Sequence, residues 1–171
     1  MGSNVENASF VRFADDGQFP NSRLPVALYR QALPQDSATP EGMEALLNGN
    51  GWPAQWRDTV FTFHHYHSRS HECLGVARGE ATLRLGGPKG QEFKIEAGDV
   101  VVIPAGVAHQ RVLASTDFMV IGAYPPGQED FDTLRGNPDD RPRADQTIAG
   151  VPLPLSDPVG GRDGPLLDQW R

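Results

Sequence analysis

From about residue 58 the chain is a succession of short runs rich in Val, Ile, Phe and Thr: "TVFTFHHYH", "CLGVARG", "ATLRLGG", "EFKIEAGD", "VVVIPAG", "HQRVLA" and "DFMVIGAY". β-Branched and aromatic side chains favour a pleated, half-buried surface, and the glycines between the runs permit tight turns. Seven short strands at this spacing predict an all-β sandwich or barrel. The composition agrees, with 19 Gly, 15 Pro and 38% hydrophobic residues in 171, which suits one domain of short elements and many turns.

The flanks read differently. "TPEGMEALLNGNG" carries a helix signature, with Thr39 as N-cap, Pro40 at the first helical position and Gly49 or Gly51 as the stop. The rest of 1–57 reads as an arm, in which "LPVALY" (24–29) is an extended segment lying on a sheet. The barrel core is expected over about 58–124. Residues 125–146 are polar and Pro-rich and read as a surface loop, and 150–171 as a strap whose Leu, Val and Trp side chains cover the β domain. All 171 residues then form a single domain.

A net charge of −7, with no Lys/Arg cluster, argues against nucleic acid and acidic membranes as partners. The single cysteine, Cys73, excludes an intrachain disulfide and reads as a small buried hydrophobe. The N-terminus lacks a signal-peptide pattern and no run approaches a membrane span, so a soluble, cytoplasmic protein is expected.

Four of the five histidines fall within "FHHYHSRSHECLG", residues 63–75. In a strand, His65 and His67 share one face with Phe61 and Phe63, while His64 and Tyr66 point the other way. Two imidazoles at the end of an apolar, inward stripe need hydrogen-bond or metal partners, since an unpaired buried polar group costs about 1–3 kcal/mol. A helix would instead align His64, His67 and His71, but the preceding Val-Phe-Thr-Phe and the following Gly75 argue against it. The zincin pattern also fails, because Gly75 stands where its second histidine belongs.

These residues resemble the two cupin motifs. "HYHSRSHECLGVARG" is similar to His-x-His-(x)4-Glu-(x)6-Gly through His65, His67, Glu72 and Gly79. "GDVVVIPAGVAH" is similar to Gly-(x)5-Pro-x-Gly-x-x-His through Gly98, Pro104, Gly106 and His109. Two departures occur: Thr59 replaces a glycine ahead of the first motif, and Leu113 an asparagine after the second. The flanking "GWPAQWRDTVF" and "DPVGGRDGPLL" also resemble a poorly characterised bacterial branch of small single-cupin proteins. The resemblance implies a double-stranded β-helix, a jelly-roll barrel holding one divalent transition metal (Fe, Mn, Ni, Cu, Co or Zn) on His65, His67, Glu72 and His109. It also implies a homodimer.

Four protein ligands on an octahedral ion leave two positions open, which suits chemistry on a small molecule. The alternative for the quartet is a set of hydrogen-bonded core groups without metal. Arg111 shares parity with His109 and is a candidate contact for a substrate anion, or else a salt bridge. His71 is a candidate for orienting Glu72 or a neighbouring imidazole, or is simply exposed, and His64, facing away from the quartet, reads as a surface or interface residue rather than a catalytic one. Tyr66 reads as packing on the outer face, and Trp52, Trp56 and Arg57 either line a pocket entrance or pack. A metal-dependent enzyme is the first reading, and within it a dioxygenase-like reaction, because no second Glu or Lys stands at a recognisable place to act as base for isomerisation or lysis. A metal-dependent isomerase or lyase, a non-catalytic binding cupin and a silent structural one are the alternatives.

Overall fold

The computed structural model describes residues 5–171. Its strands, in chain order, are β1 (Ala8–Phe13), β2 (Ser22–Tyr29), β3 (Ala54–Asp58), β4 (Glu72–Arg78), β5 (Glu80–Leu85), β6 (Gln91–Glu96), β7 (Val100–Ile103), β8 (His109–Ala114) and β9 (Met119–Ala123). Helices α1 (Pro40–Gly49), α2 (Arg143–Ala149) and α3 (Leu166–Gln169) accompany them. Antiparallel pairing gives a six-stranded sheet ordered β1-β2-β7-β4-β9-β3 and a three-stranded sheet ordered β6-β5-β8. The two sheets form the jelly roll.

The chain is apolar on both sides of its central strands, and each side has its own cover. On β7, Val101 and Ile103 face the barrel interior with Leu74, Val76, Leu83 and Val120. Val100 and Val102 face outward and pack with Met43, Leu47, Trp52 and Trp170. A strand buried on both faces reads as an unbroken apolar run, which is why "VVVI" shows no alternation. Helix α1 lies on this outer face. Its start is fixed by Thr39 Oγ1, which accepts the Gly42 N–H at 3.0 Å. Met43 sits against Gly75 of β4, where a Cβ would come within 2.5 Å of Met43 Cγ.

The six runs beginning at "CLGVARG" match β4 to β9, but three expectations need correction. The run 59–67 is not a regular strand. Asp58 Oδ1 accepts the Thr59 N–H at 2.8 Å as β3 ends, and the chain then follows β8 with broken pairing. Arg111 N–H donates to the Phe61 carbonyl, and His65 and His109 exchange both backbone bonds at 3.1 and 2.8 Å. Secondly, 24–29 is no arm on the surface of a sheet. It lies in β2, between β1 and β7, so the sheet draws on residues well before 58. Thirdly, 125–146 is more than a surface loop: Leu134 pairs with Tyr66, and Tyr66 is buried among Phe19, Ala108 and Ala144.

The C-terminal segment closes over the sheet as a strap, with Val159, Leu166 and Trp170 buried. Its anchor is Asp157, fully buried, which accepts Tyr29 O–H at 2.5 Å and the backbone N–H groups of Val159 and Leu166 at 2.7 and 2.9 Å. Substituting Asp157→Ala strands these donors away from water. The variant is expected to lose at least about 2 kcal/mol of unfolding free energy in denaturant melts.

Candidate metal centre

Strand parity aims one carboxylate into the barrel. Along β4, Leu74 and Val76 face the interior cluster while Cys73 and Ala77 face the outer one. Glu72 shares the parity of Leu74 and Val76, so its side chain enters the apolar interior, where it is 3% exposed. His109 opens β8, paired with Leu85 of β5. His65 is tied beside it by the backbone bridge, and His67 follows two residues later, its carbonyl accepting the Gly106 N–H at 2.8 Å.

The geometry brings the three imidazoles together: His65, His67 and His109 each offer a ring nitrogen, all within 4.8 Å of one another. Glu72 Oε2 lies 3.3 Å from His67 Nε2, and Oε1 lies 3.2 Å from His109 Nε2. Each ring is oriented by a backbone carbonyl. The Nδ1–H groups of His65, His67 and His109 donate to Phe63, Asp132 and Val107 at 3.0, 2.5 and 3.0 Å. A carbonyl only accepts, so this network assigns the proton to Nδ1 and leaves each Nε2 with an inward lone pair.

Nε2 of His67 and Nε2 of His109 are buried and have no hydrogen-bond partner. Lone pairs facing a carboxylate at about 3 Å repel it, so the cluster calls for positive charge at its centre. The titration behaviour expresses the same demand. Burial works against a charged His67, yet Glu72 outweighs it and raises the imidazole pKa. Burial likewise opposes ionisation of Glu72, but His67 and His109 hold its carboxyl well below the usual range. His65 is pushed down to about 2, first by burial and then by His109, and so keeps its lone pair at any ordinary pH. Three imidazoles with Nε2 turned inward and one carboxylate suit a divalent transition ion.

Around this set lies a second layer. Tyr124 O–H donates to Glu72 Oε2 at 2.8 Å and accepts Trp56 Nε1–H at 2.9 Å. The Trp56 indole lies flat on Gly122 of β9, where a Cβ would come within 2.0 Å of it. Asp132 supplies the carbonyl for His67, and its carboxylate accepts the Ser68 and Arg69 N–H groups, pinning the chain just beyond. Phe131 stacks on Tyr124 with ring centroids 5.1 Å apart and meets His67 edge-on. A cavity of about 220 Å³ opens beside the imidazoles, walled by Trp56, Val60, Leu74 and Phe131. A larger cleft of about 690 Å³ at Trp52, Pro125 and Leu155 shares no lining residue with it.

The other singled-out residues fall elsewhere. Phe61 is 51% exposed at the cavity mouth, not in a buried stripe, because the segment leaves strand geometry there. His71 is buried away from the cavity lining. Its Nδ1 accepts the Ala105 N–H at 2.9 Å, its ring lies 4.7 Å from that of Trp170, and burial lowers its pKa to about 4. It therefore ties the turn before His109 to the strap rather than standing exposed. Arg111 is also outside the lining and donates to Thr59 Oγ1 at 2.8 Å. His64 is half-buried against Phe19. Trp52 is core, Trp56 lines the cavity, and Arg57 turns outward to Glu44. Tyr124, Phe131 and Asp132 had no sequence signal beyond the parity of Tyr124 with Gly122. Cys73 is fully buried, and burial raises its thiol pKa well above the usual value. Ellman's reagent at pH 8 is expected to leave Cys73 unmodified in the native protein and to react fully once denaturant unfolds it.

A family model for the cupin domain matches residues 58–121. A Bacillus subtilis (strain 168) protein described as uncharacterized protein YjlB is 41% identical over 159 residues, covering 92% of this chain and 93% of that protein. Among solved structures, a DUF861 family protein from Thermotoga maritima is similar over 50% of this chain and 91% of its own, at 23% identity and a TM-score of 0.33. Acireductone dioxygenase from Bacillus anthracis, with cadmium in its active centre, covers 63% of this chain and 53% of its own at 18% identity and a TM-score of 0.32.

Proposed function

Because this chain belongs to the cupin family, we propose that it is a metal-dependent enzyme acting on a small molecule, with dioxygenase-like chemistry at His65, His67, Glu72 and His109. The observation that carries this reading is the convergence of inward Nε2 lone pairs on a buried carboxylate, with two of the nitrogens lacking any partner. A redox-active divalent ion held by His65, His67, Glu72 and His109 would supply the electron transfer that dioxygen requires.

The protein's own groups prepare the site. The three Nδ1–H bonds to carbonyls fix ring orientation and keep each Nε2 available. Tyr124 holds Oε2 of Glu72, so that Oε1 is the freer oxygen. Trp56, Val60, Leu74 and Phe131 exclude water and favour an apolar body, and 220 Å³ is below the roughly 300–1,000 Å³ of drug-sized pockets, which favours a small substrate. Isomerisation or lysis would want a positioned base. Besides Glu72 the lining carries one carboxylate, Asp58, exposed at the mouth, and no lysine among the described residues. That favours the oxygen-dependent reading.

Protein purified without chelator or nickel affinity steps is expected to carry one divalent ion per chain by elemental analysis. His109→Ala should abolish retention, and Tyr124→Phe should weaken it about tenfold. Protons compete for imidazole and carboxylate, so retention should fall as pH drops from 7 to 5. A chain that binds no metal even after reconstitution overturns the proposal. Oxygen uptake coupled to consumption of a small molecule is expected, and equal turnover without oxygen rules the dioxygenase out.

A further inference from the structure

The sequence "AQWRD" of β3 sorts charge across the sheet. Trp56 and Asp58 share one parity and both line the cavity, whereas Arg57 points the opposite way. Arg57 is held outside by α1, with Nε and Nη2 donating to Glu44 at 2.9 and 2.8 Å and Glu41 lying 3.6 Å away. The strand thus places its anion at the cavity and its cation behind it.

The remaining guanidiniums nearby have partners other than Asp58, although that of Arg111, Thr59, is itself a lining residue. Arg111 donates to Thr59 Oγ1 from outside the lining, and Arg135 lies over the Phe63 ring at 3.7 Å. No Lys or Arg lines the cavity among the described residues. Asp58 is bonded through Oδ1 to the Thr59 N–H, and it lines the cavity together with the aromatic side chains Trp56 and Phe61. A carboxylate flanked by aromatic rings attracts an ammonium by ion pairing and by the ring quadrupoles together, and it repels a carboxylate or phosphate.

We infer that the cavity selects a small amine: a molecule with an apolar or aromatic body whose far end, away from the imidazoles, carries an ammonium group received by Asp58, Trp56 and Phe61. This rests on the reading of the cavity as a substrate site and names the class of molecule that site takes. Asp58 is the residue that sets charge preference, and the imidazoles take no part in it.

Three probes of one shape test this: tyramine, tyrosol and para-hydroxyphenylacetate share a phenol and end in ammonium, hydroxyl and carboxylate. Their dissociation constants are measured by ligand-observed NMR titration on the zinc-loaded protein and on the metal-free protein at pH 7. Tyramine is expected to bind at least fivefold more tightly than tyrosol, and para-hydroxyphenylacetate more weakly than either. Asp58→Asn and Asp58→Ser, at an exposed position, should bring tyramine level with tyrosol while leaving tyrosol unchanged. Equal or tighter binding of the carboxylate, or an amine preference that survives both substitutions, overturns the inference. The two readings fail separately. Failure to take up any divalent transition ion, zinc included, overturns the metal-enzyme proposal while the metal-free titration still reads the amine preference. A metal-loaded protein that prefers the carboxylate overturns the amine inference alone.

Discussion

Burying the Glu72 carboxylate inside an apolar barrel is the constraint around which this protein is arranged. An ionised group so placed carries a penalty of several kcal/mol unless charge and hydrogen bonds answer it. Here the Tyr124 hydroxyl donates to it at 2.8 Å with Trp56 behind, and Nε2 of His67 and His109, at 3.3 and 3.2 Å, frame with it a position that calls for a cation. Each partner comes from a different stretch of chain, so satisfying one side chain requires β3, β8, β9 and the segment before β4 to meet at one end of the barrel. Site and fold are in that sense one problem.

The irregular stretch 59–71 follows from the same requirement. A regular strand would have carried Phe61, Phe63, His65 and His67 along one face of a sheet. The chain instead leaves β3 after Asp58, crosses the mouth, and keeps isolated backbone bonds: the His65–His109 exchange, Arg111 N–H to the Phe61 carbonyl, and the Tyr66–Leu134 pair. That looseness leaves Phe61 at the rim and makes room for the cavity. The loop 125–146 returns to close the far wall, contributing the Asp132 carbonyl to His67 and the Phe131 ring to Tyr124. Its polar composition marks it as surface, yet two of its residues complete the site, since backbone carbonyls and single aromatic rings leave no pattern in composition.

Charge is distributed with the same economy of position. β3 alternates Trp56, Arg57 and Asp58 across a sheet with a helix on one side and a cavity on the other. The guanidinium meets Glu44 of α1, and the carboxylate meets the mouth of the site. A one-residue change of register would exchange them, because the side-chain period of a strand is two.

The order of apolar runs and glycine turns determined β4 to β9, and the capping pattern at Thr39 and Pro40 determined α1, because these signals depend on neighbours a few residues apart. The shared face of His65 and His67 was legible for the same reason, whereas Glu72 and His109 were singled out by the cupin spacing alone. What only the tertiary structure decided concerns contacts between distant segments. β2 sits within the sheet because strap and barrel cover both its faces, which hides the alternation that identifies a strand. Tyr124, Trp56, Phe131 and Asp132 reach the site through strand order and loop closure, which no local pattern encodes. Sequence periodicity assigns a side chain to a face, and the packing of the sheets decides what that face meets.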